Sequence, residues 1–214
     1  MTKVFVELGA GPGLGNAAAR AFAAQGFKVV LASRREERLA AYQRDFRAAG
    51  YDADIRTIDM ARPDAAQDVL RQIQKEYPEI DTVHYNVGVT EPDGGRTFDC
   101  AAMAERYQID VLGFYQTLQV FATDAFAAKG GTILVTGGGL AIHPMHEFLP
   151  LSMDKAALRA LVLAEHALWK AKGLYIASLQ VTNAIGVAEG YEPDRLAGML
   201  WDMYTRRTEP ELIY

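Results

Sequence analysis

The sequence predicts one α/β domain over residues 1–214, a doubly wound parallel sheet with helices on both faces. Three observations predict it. Short apolar runs bounded by Gly, Pro or Asp recur along the chain, and stretches with helical periodicity separate them. The first apolar run ends in a cluster of glycines and passes straight into a helical pattern. Half of the 214 residues are hydrophobic, which suits strands buried on both sides.

Val4 to Leu8 reads as the first strand. Asn16 to Gln25 then reads as a helix stopped by Gly26, and Phe27 to Ala32 as a second buried strand. Leu39, Tyr42 and Phe46 give helical spacing to Arg35–Ala49, which ends at Gly50. Asp52 to Ile58 alternates as a third strand, and Arg62–Pro63–Asp64 opens a helix running to Tyr77–Pro78. Thr82 to Asn86 is the fourth strand. A turn at Pro92–Gly95 leads into one long helical region, about Cys100 to Ala128. Thr132 to Val135 is the fifth strand and breaks into Thr136–Gly139. Ser152 to Lys172 is a strong helix ended by Gly173, and Leu174 to Val181 is the sixth strand. A helix over Glu192–Arg206 and a short strand at Leu212–Tyr214 complete the alternation. Strands joined by helices of this length imply right-handed crossovers and parallel pairing.

The glycines after the first strand carry the earliest functional signal. Gly9, Gly13 and Gly15 fit G-x-x-x-G-x-G, with Gly11 as an extra. A strand, a tight turn and a helix start bring backbone N–H groups around an anion at the helix's positive end. A Cβ there would keep the backbone away from a pyrophosphate. An ordinary Gly-rich turn is the plain alternative.

Composition narrows the classes of function. A formal charge of −5 gives no overall attraction to nucleic acid or anionic lipid. Cys100 is the only cysteine, so neither a disulfide framework nor a thiolate cluster is available. No apolar stretch has the length of a membrane span, and the run after Met1–Thr2–Lys3 is too short for a secretory core. A cytoplasmic protein without nucleic-acid or membrane partners is expected. The histidines show no metal-ligand spacing with carboxylates or Cys100, so no metal site is expected.

The second strand ends in Ser33–Arg34–Arg35, and the first acid, Glu36, lies inside the following helix. An acid at the strand end would receive ribose hydroxyls; two guanidiniums and a hydroxyl suit a 2′-phosphate instead. This predicts NADP(H) over NAD(H), the alternative being two solvated arginines at a helix start. The helix at Ser152–Lys172 is apolar around most of its circumference. That predicts burial on both sides, by the sheet and by a second subunit or a crowded core. A homo-oligomer built on this helix and the long one before it is the expectation.

Together these residues resemble the short-chain dehydrogenase/reductase family over essentially the whole chain. Gly9, Gly13 and Gly15 match its glycine motif, and Asp59 its adenine-contacting acid. Asn86 and Gly88 match its Asn-Asn-Ala-Gly element, and Lys155 stands in the segment around its Tyr-x-x-x-Lys motif. The resemblance implies a Rossmann-type fold, a nicotinamide cofactor and chemistry on a carbonyl or alcohol. It also implies cofactor contacts from Leu14, Met60 and Ile185. Lys155 would hold the nicotinamide ribose.

The departures fall on proton chemistry. Leu151 stands where the family's tyrosine belongs, Gly138 where its serine belongs, and Asp110 where its asparagine belongs. Removing a general acid lowers rates by about 10²–10⁴. His143 and His146, in the loop before Lys155, are the candidate replacements, the alternative being exposed loop residues. Ser152 reads as a helix N-cap and Asp154 as a first-turn carboxylate favoured by the dipole. Three functions stay open: an oxidoreductase with a rearranged proton donor and an unknown small-molecule substrate, a silent NADP(H)-binding sensor or partner, and a non-redox enzyme.

Overall fold

A computed structural model of the chain describes residues 1–90 and 99–214; the turn expected at Pro92–Gly95 lies outside them. Seven strands form one parallel sheet: β1 (Val4–Leu8), β2 (Lys28–Ser33), β3 (Ala53–Thr57), β4 (Ile80–Tyr85), β5 (Thr132–Thr136), β6 (Tyr175–Gln180) and β7 (Glu211–Ile213). Their spatial order is β3-β2-β1-β4-β5-β6-β7. The chain therefore reverses its direction of travel between β1 and β4, and a crevice opens there at the carboxyl ends of the strands.

Helices cover both faces, which explains why β1 is buried along its whole length. Val4, Val6 and Leu8 face one way. They pack with Leu70 and Ile73 of α3 (Pro63–Glu76), Phe114 and Leu118 of α5 (Gly113–Phe121), and Leu158 and Val162 of α7 (Leu149–Trp169). Phe5 faces the other way. Its partners are Ala18 and Phe22 of α1 (Leu14–Ala23), Leu39 and Phe46 of α2 (Glu36–Ala48), and Leu196 and Leu200 of α8 (Pro193–Arg206). Phe22 is the hub of that second layer. It stacks on Phe5 at 4.2 Å and meets Phe27, Trp201 and Tyr204 edge-on.

Two expectations are corrected. The long helix at Cys100–Ala128 is three pieces: α4 (Cys100–Tyr107), α5, and α6 (Asp124–Ala128). A π-turn at Gln108–Leu112 joins the first two, and the Tyr85 hydroxyl donates to the Ile109 carbonyl there at 2.6 Å. Gly113 follows because a Cβ would stand 2.5 Å from that hydroxyl. The third piece starts afresh because Thr123 caps it, accepting the Phe126 N–H. Second, α7 begins at Leu149 with Pro150 in its first turn, so Ser152 is not the N-cap. Its Oγ lies inside the helix and accepts the Met145 N–H at 3.1 Å. Only one face of α7 is buried within the chain; Met153 and Leu168 are 49% and 59% exposed.

Candidate functional site

The glycine turn joins β1 to α1. Gly9 has φ +104°, and a Cβ there would stand 2.5 Å from the Asn86 carbonyl oxygen, so close packing against β4 requires glycine. At Gly15 a Cβ would meet the Gly9 carbonyl at 2.7 Å and Glu7 Oε1 at 2.8 Å. Gly11 and Gly13 differ. A Cβ at Gly13 would meet nothing within 4 Å, and one at Gly11 only the Gly9 carbonyl at 3.8 Å. These two leave bare backbone facing open space, at a helix start with no side-chain cap and no acid in its first turn. Such an end accepts an anion.

A cleft of about 200 Å³ opens beside this turn, across the point where the strand order reverses. Its lining includes Gly9, Ser33, Arg34, Asp59, Met60, Asn86 and Gly88, all seven of them expected from the sequence. Arg34 and Arg35 are exposed, and neither forms a salt bridge among the described residues. Arg34 lines the cleft and Arg35 does not. Asp59 accepts the Ala61 N–H at 3.1 Å, which fixes the turn after β3, and lies 3.8 Å from Arg62. Leu14 is buried in the α1 core, and Ile185 is half-buried against the same layer, so neither lines the cleft.

Lys155 projects from α7 to the far end of the crevice and is buried. Its Nζ donates to the Thr136 carbonyl at 3.0 Å. A Cβ at Gly88 would lie 3.7 Å from both Lys155 Nζ and Asp110 Oδ2, so both side chains border the cleft at Gly88. Gly138 packs along the Lys155 stem, where a Cβ would stand 3.4 Å from Cγ. Asp110 accepts the Val89 N–H at 2.8 Å through Oδ1, while its Oδ2 is buried without a hydrogen-bond partner. Asp154 Oδ2 is likewise buried and unpartnered.

The charges in this cluster act on one another. Burial pushes the Asp154 carboxyl up to about 7, with the Asp110 charge adding to the shift and Arg106 and Lys155 opposing it. Burial also raises Asp110, against Lys155, the Val89 N–H and Arg106. The Lys155 ammonium is pulled below its ordinary value by burial, against Asp110 and Asp154. Two carboxyls and one ammonium thus lie close enough to influence one another's protonation, each held away from its ordinary value first by burial.

The loop histidines stand elsewhere. His143 and His146 are both exposed, and no hydrogen bond ties either to Lys155 among the described residues. Asp154 is the acid that the sequence reading underrated: its spacing before Lys155 was visible, its burial was not. Glu7 and His84 were also overlooked. A signal existed for Glu7, the lone polar residue of an apolar strand run, and it pairs in register with His84 between β1 and β4. Leu151 is buried and offers no polar atom.

The family profile described as short chain dehydrogenase matches residues 3–183. An uncharacterized oxidoreductase of Mycobacterium tuberculosis is 31% identical over 158 residues, 73% of this chain and 60% of that protein. Across eight curated relatives the matched part is 52–65% of their own length. Among solved structures, an alcohol dehydrogenase from Thermococcus sibiricus complexed with 5-hydroxy-NADP superposes with TM-score 0.86 at 21% identity. That match covers 100% of this chain and 96% of the other. A metagenomic short-chain oxidoreductase in complex with NADP gives TM-score 0.86 at 24% identity, covering 99% and 96%. These likenesses establish the same fold.

Proposed function

The chain belongs to the short chain dehydrogenase family, and from that premise we propose that it is an NADP(H)-dependent oxidoreductase acting on a small carbonyl or alcohol. The observation that carries this reading is the pair Gly11 and Gly13, bare backbone facing open space at an uncapped helix end beside the Arg34-lined cleft. Packing does not require glycine at either position; a pyrophosphate does. Ser33 and Arg34 would hold the 2′-phosphate, Asp59 and Met60 would border the adenine, and Asn86 and Gly88 would line the passage toward Lys155. A nicotinamide bound there supplies or accepts a hydride.

The proton is the task of this chain's own side chains. Leu151 has none to give, so the role falls to the carboxyl cluster around Lys155 rather than to the exposed His143 and His146. Asp154 would hold a proton near neutral pH, kept there by burial and by repulsion from Asp110, while Lys155 stands beside the cleft at Gly88. The exposed Met153, Leu168 and Tyr115 give α7 and α5 an apolar outer surface, consistent with a homo-oligomer built on these helices in a cytoplasmic protein.

A titration of the purified protein with NADPH and NADH tests the reading, alongside Arg34→Ala. Tighter binding of NADPH, weakened about tenfold or more in the variant, is expected. Equal affinity for both cofactors, unchanged in the variant, removes the NADP(H) assignment. A silent cofactor-binding protein is the second reading, favoured by Leu151 and Gly138. Bound NADPH left unconsumed across a panel of small aldehydes and ketones would select it.

A further inference from the structure

Glu7, His84 and Thr136 come from three adjacent strands, and their side chains take no part in the proton cluster described above, which Thr136 meets only through its carbonyl. Glu7 and His84 are completely buried, and Thr136 nearly so. Glu7 Oε2 lies 2.6 Å from His84 Nδ1, and His84 Nε2 lies 3.0 Å from Thr136 Oγ1. The Thr136 hydroxyl donates to Asn86 Oδ1 at 2.7 Å, and Asn86 Nδ2 donates to the Gly9 carbonyl at 3.2 Å. The chain thus ends on the glycine turn itself.

Its proton positions follow from the far end. The Gly9 carbonyl only accepts, so the Asn86 NH₂ faces it and Oδ1 faces Thr136. Asn86 Oδ1 only accepts, so the Thr136 hydroxyl donates to it and receives the His84 Nε2–H. Nδ1 then either donates to a Glu7 carboxylate, as imidazolium, or accepts from a Glu7 carboxylic acid. Both arrangements hold one proton on the pair beyond the neutral tautomer and the carboxylate. Burial supports retention of that proton, pushing the Glu7 carboxyl up to about 7 against the pull of His84.

Loss of the proton reverses the chain. A neutral His84 facing a carboxylate must carry its remaining hydrogen on Nδ1, which leaves a lone pair on Nε2. The Thr136 hydroxyl then turns to donate to Nε2, and Asn86 Oδ1 loses its donor. A negative charge also appears under the turn: Glu7 Oε1, which has no hydrogen-bond partner, and Asn86 Nδ2 stand 2.8 and 2.9 Å from where a Gly15 Cβ would be. That places the charge against the same helix end that would receive a pyrophosphate.

We infer that Glu7, His84, Thr136 and Asn86 form a one-proton switch beneath the dinucleotide-binding turn, whose protonated state holds the turn ready for an anion and whose deprotonated state releases Asn86. The inference rests on the cofactor reading above. Among the described residues no other charge acts on Glu7; Leu31 of β2 and Leu134 of β5 lie beside Glu7 and His84 in register, and Ala18, Ala19, Phe22, Leu196 and Leu200 of α1 and α8 belong to the apolar layer on that face. His84 is the one titratable group acting on Glu7 among the described residues. Lys155 answers to Asp110 and Asp154 instead.

Linkage gives the sign: cofactor favours the protonated pair, so affinity falls as pH rises through about 7. NADPH affinity, read by its fluorescence between pH 6.5 and 9 (experimental range, roughly bracketing the titration), is the test. A loss of roughly 5- to 10-fold is expected in the natural protein. In Glu7→Gln the side-chain amide donates to Nδ1 at every pH, so affinity stays high and the pH-dependent loss disappears. The same pH dependence in both proteins overturns the switch. No NADPH binding at any pH overturns the cofactor reading instead. Nitrogen-15 chemical shifts of His84 in the ligand-free protein separate the two cases. Loss of the Nε2 hydrogen as pH rises, with the remaining ring hydrogen on Nδ1, is expected; a hydrogen fixed on Nε2 throughout overturns the switch whatever the cofactor result.

Discussion

Leu151 removes the hydroxyl that the family resemblance would put beside the substrate, and three residues later Asp154 brings a carboxyl with an unpartnered buried oxygen. The exchange has a kinetic consequence. On the proposed function, protonated Asp154 is the form that serves carbonyl reduction, so kcat for reduction is expected to fall as pH rises through about 7, and alcohol oxidation to show the opposite slope. Asp154→Asn keeps the shape and removes the proton. Steady-state rates should drop about 10²–10⁴-fold and lose the limb near 7; an unchanged profile would exclude Asp154 from proton transfer. At this scale the sequence was half legible. Lys155 and Asp110 were readable through the family resemblance, whereas the choice between Asp154 and the histidines depended on burial, which no local pattern reports. His143 and His146 lie within a dozen residues of Lys155 in sequence and on the solvent side of the loop in space.

At the scale of the element, the glycine turn and α1 behave as one unit. Phe22 anchors that unit from below by stacking on Phe5, so Phe22→Ala should destabilise the protein by about 3–5 kcal/mol in chemical denaturation. Gly15→Ala acts from above. Its Cβ would press on the Gly9 carbonyl and Glu7 Oε1 and displace the turn, so cofactor affinity should fall more than stability does. Affinity unchanged within twofold would mean the turn accommodates a Cβ (roughly the noise of such a titration). Strands and most helix limits were legible because Gly26, Gly50, Pro63 and Gly173 punctuate them. The division of the Cys100–Ala128 region was not, because the π-turn exists to satisfy a contact with Tyr85, a residue in another element. The start of α7 was misplaced for a simpler reason. Ser152 is a familiar capping residue, and Pro150 two positions earlier was the better signal.

For the whole molecule, Glu7 and Asp154 are buried acids whose raised pKa values contribute to the dependence of stability on pH, beside Asp110, which is raised as well. Glu7 titrates near 4.5 in an unfolded chain and about 7 when folded; for Asp154 the values are 3.8 and about 7. Across that interval the folded protein binds more protons than the unfolded one. The contribution of both groups is therefore complete below the unfolded values and lost as pH rises to about 7. Thermal melts should show Tm decreasing between about pH 4.5 and 7 from these sites, with Glu7→Gln and Asp154→Asn each flattening the curve. A Tm that rises over this range in the natural protein, unchanged in both variants, would contradict the assignment. The doubly wound parallel sheet with helices on both faces was legible from the alternation of elements, because parallel crossovers leave few topologies. What the chain keeps inside that sheet was not: a Glu, a His and a Thr occupy buried positions of three adjacent strands.

Thr136 touches both proton-bearing clusters, through its hydroxyl on one side and its carbonyl on the other. Only the hydroxyl belongs to its side chain. Substitution at this position can therefore silence the Glu7 circuit while the Lys155 anchor, made by backbone, survives any replacement that keeps the strand. Selection acting on such a protein has two separately adjustable pH responses, one for holding a ligand and one for transforming it, and could retune the first without disturbing the second.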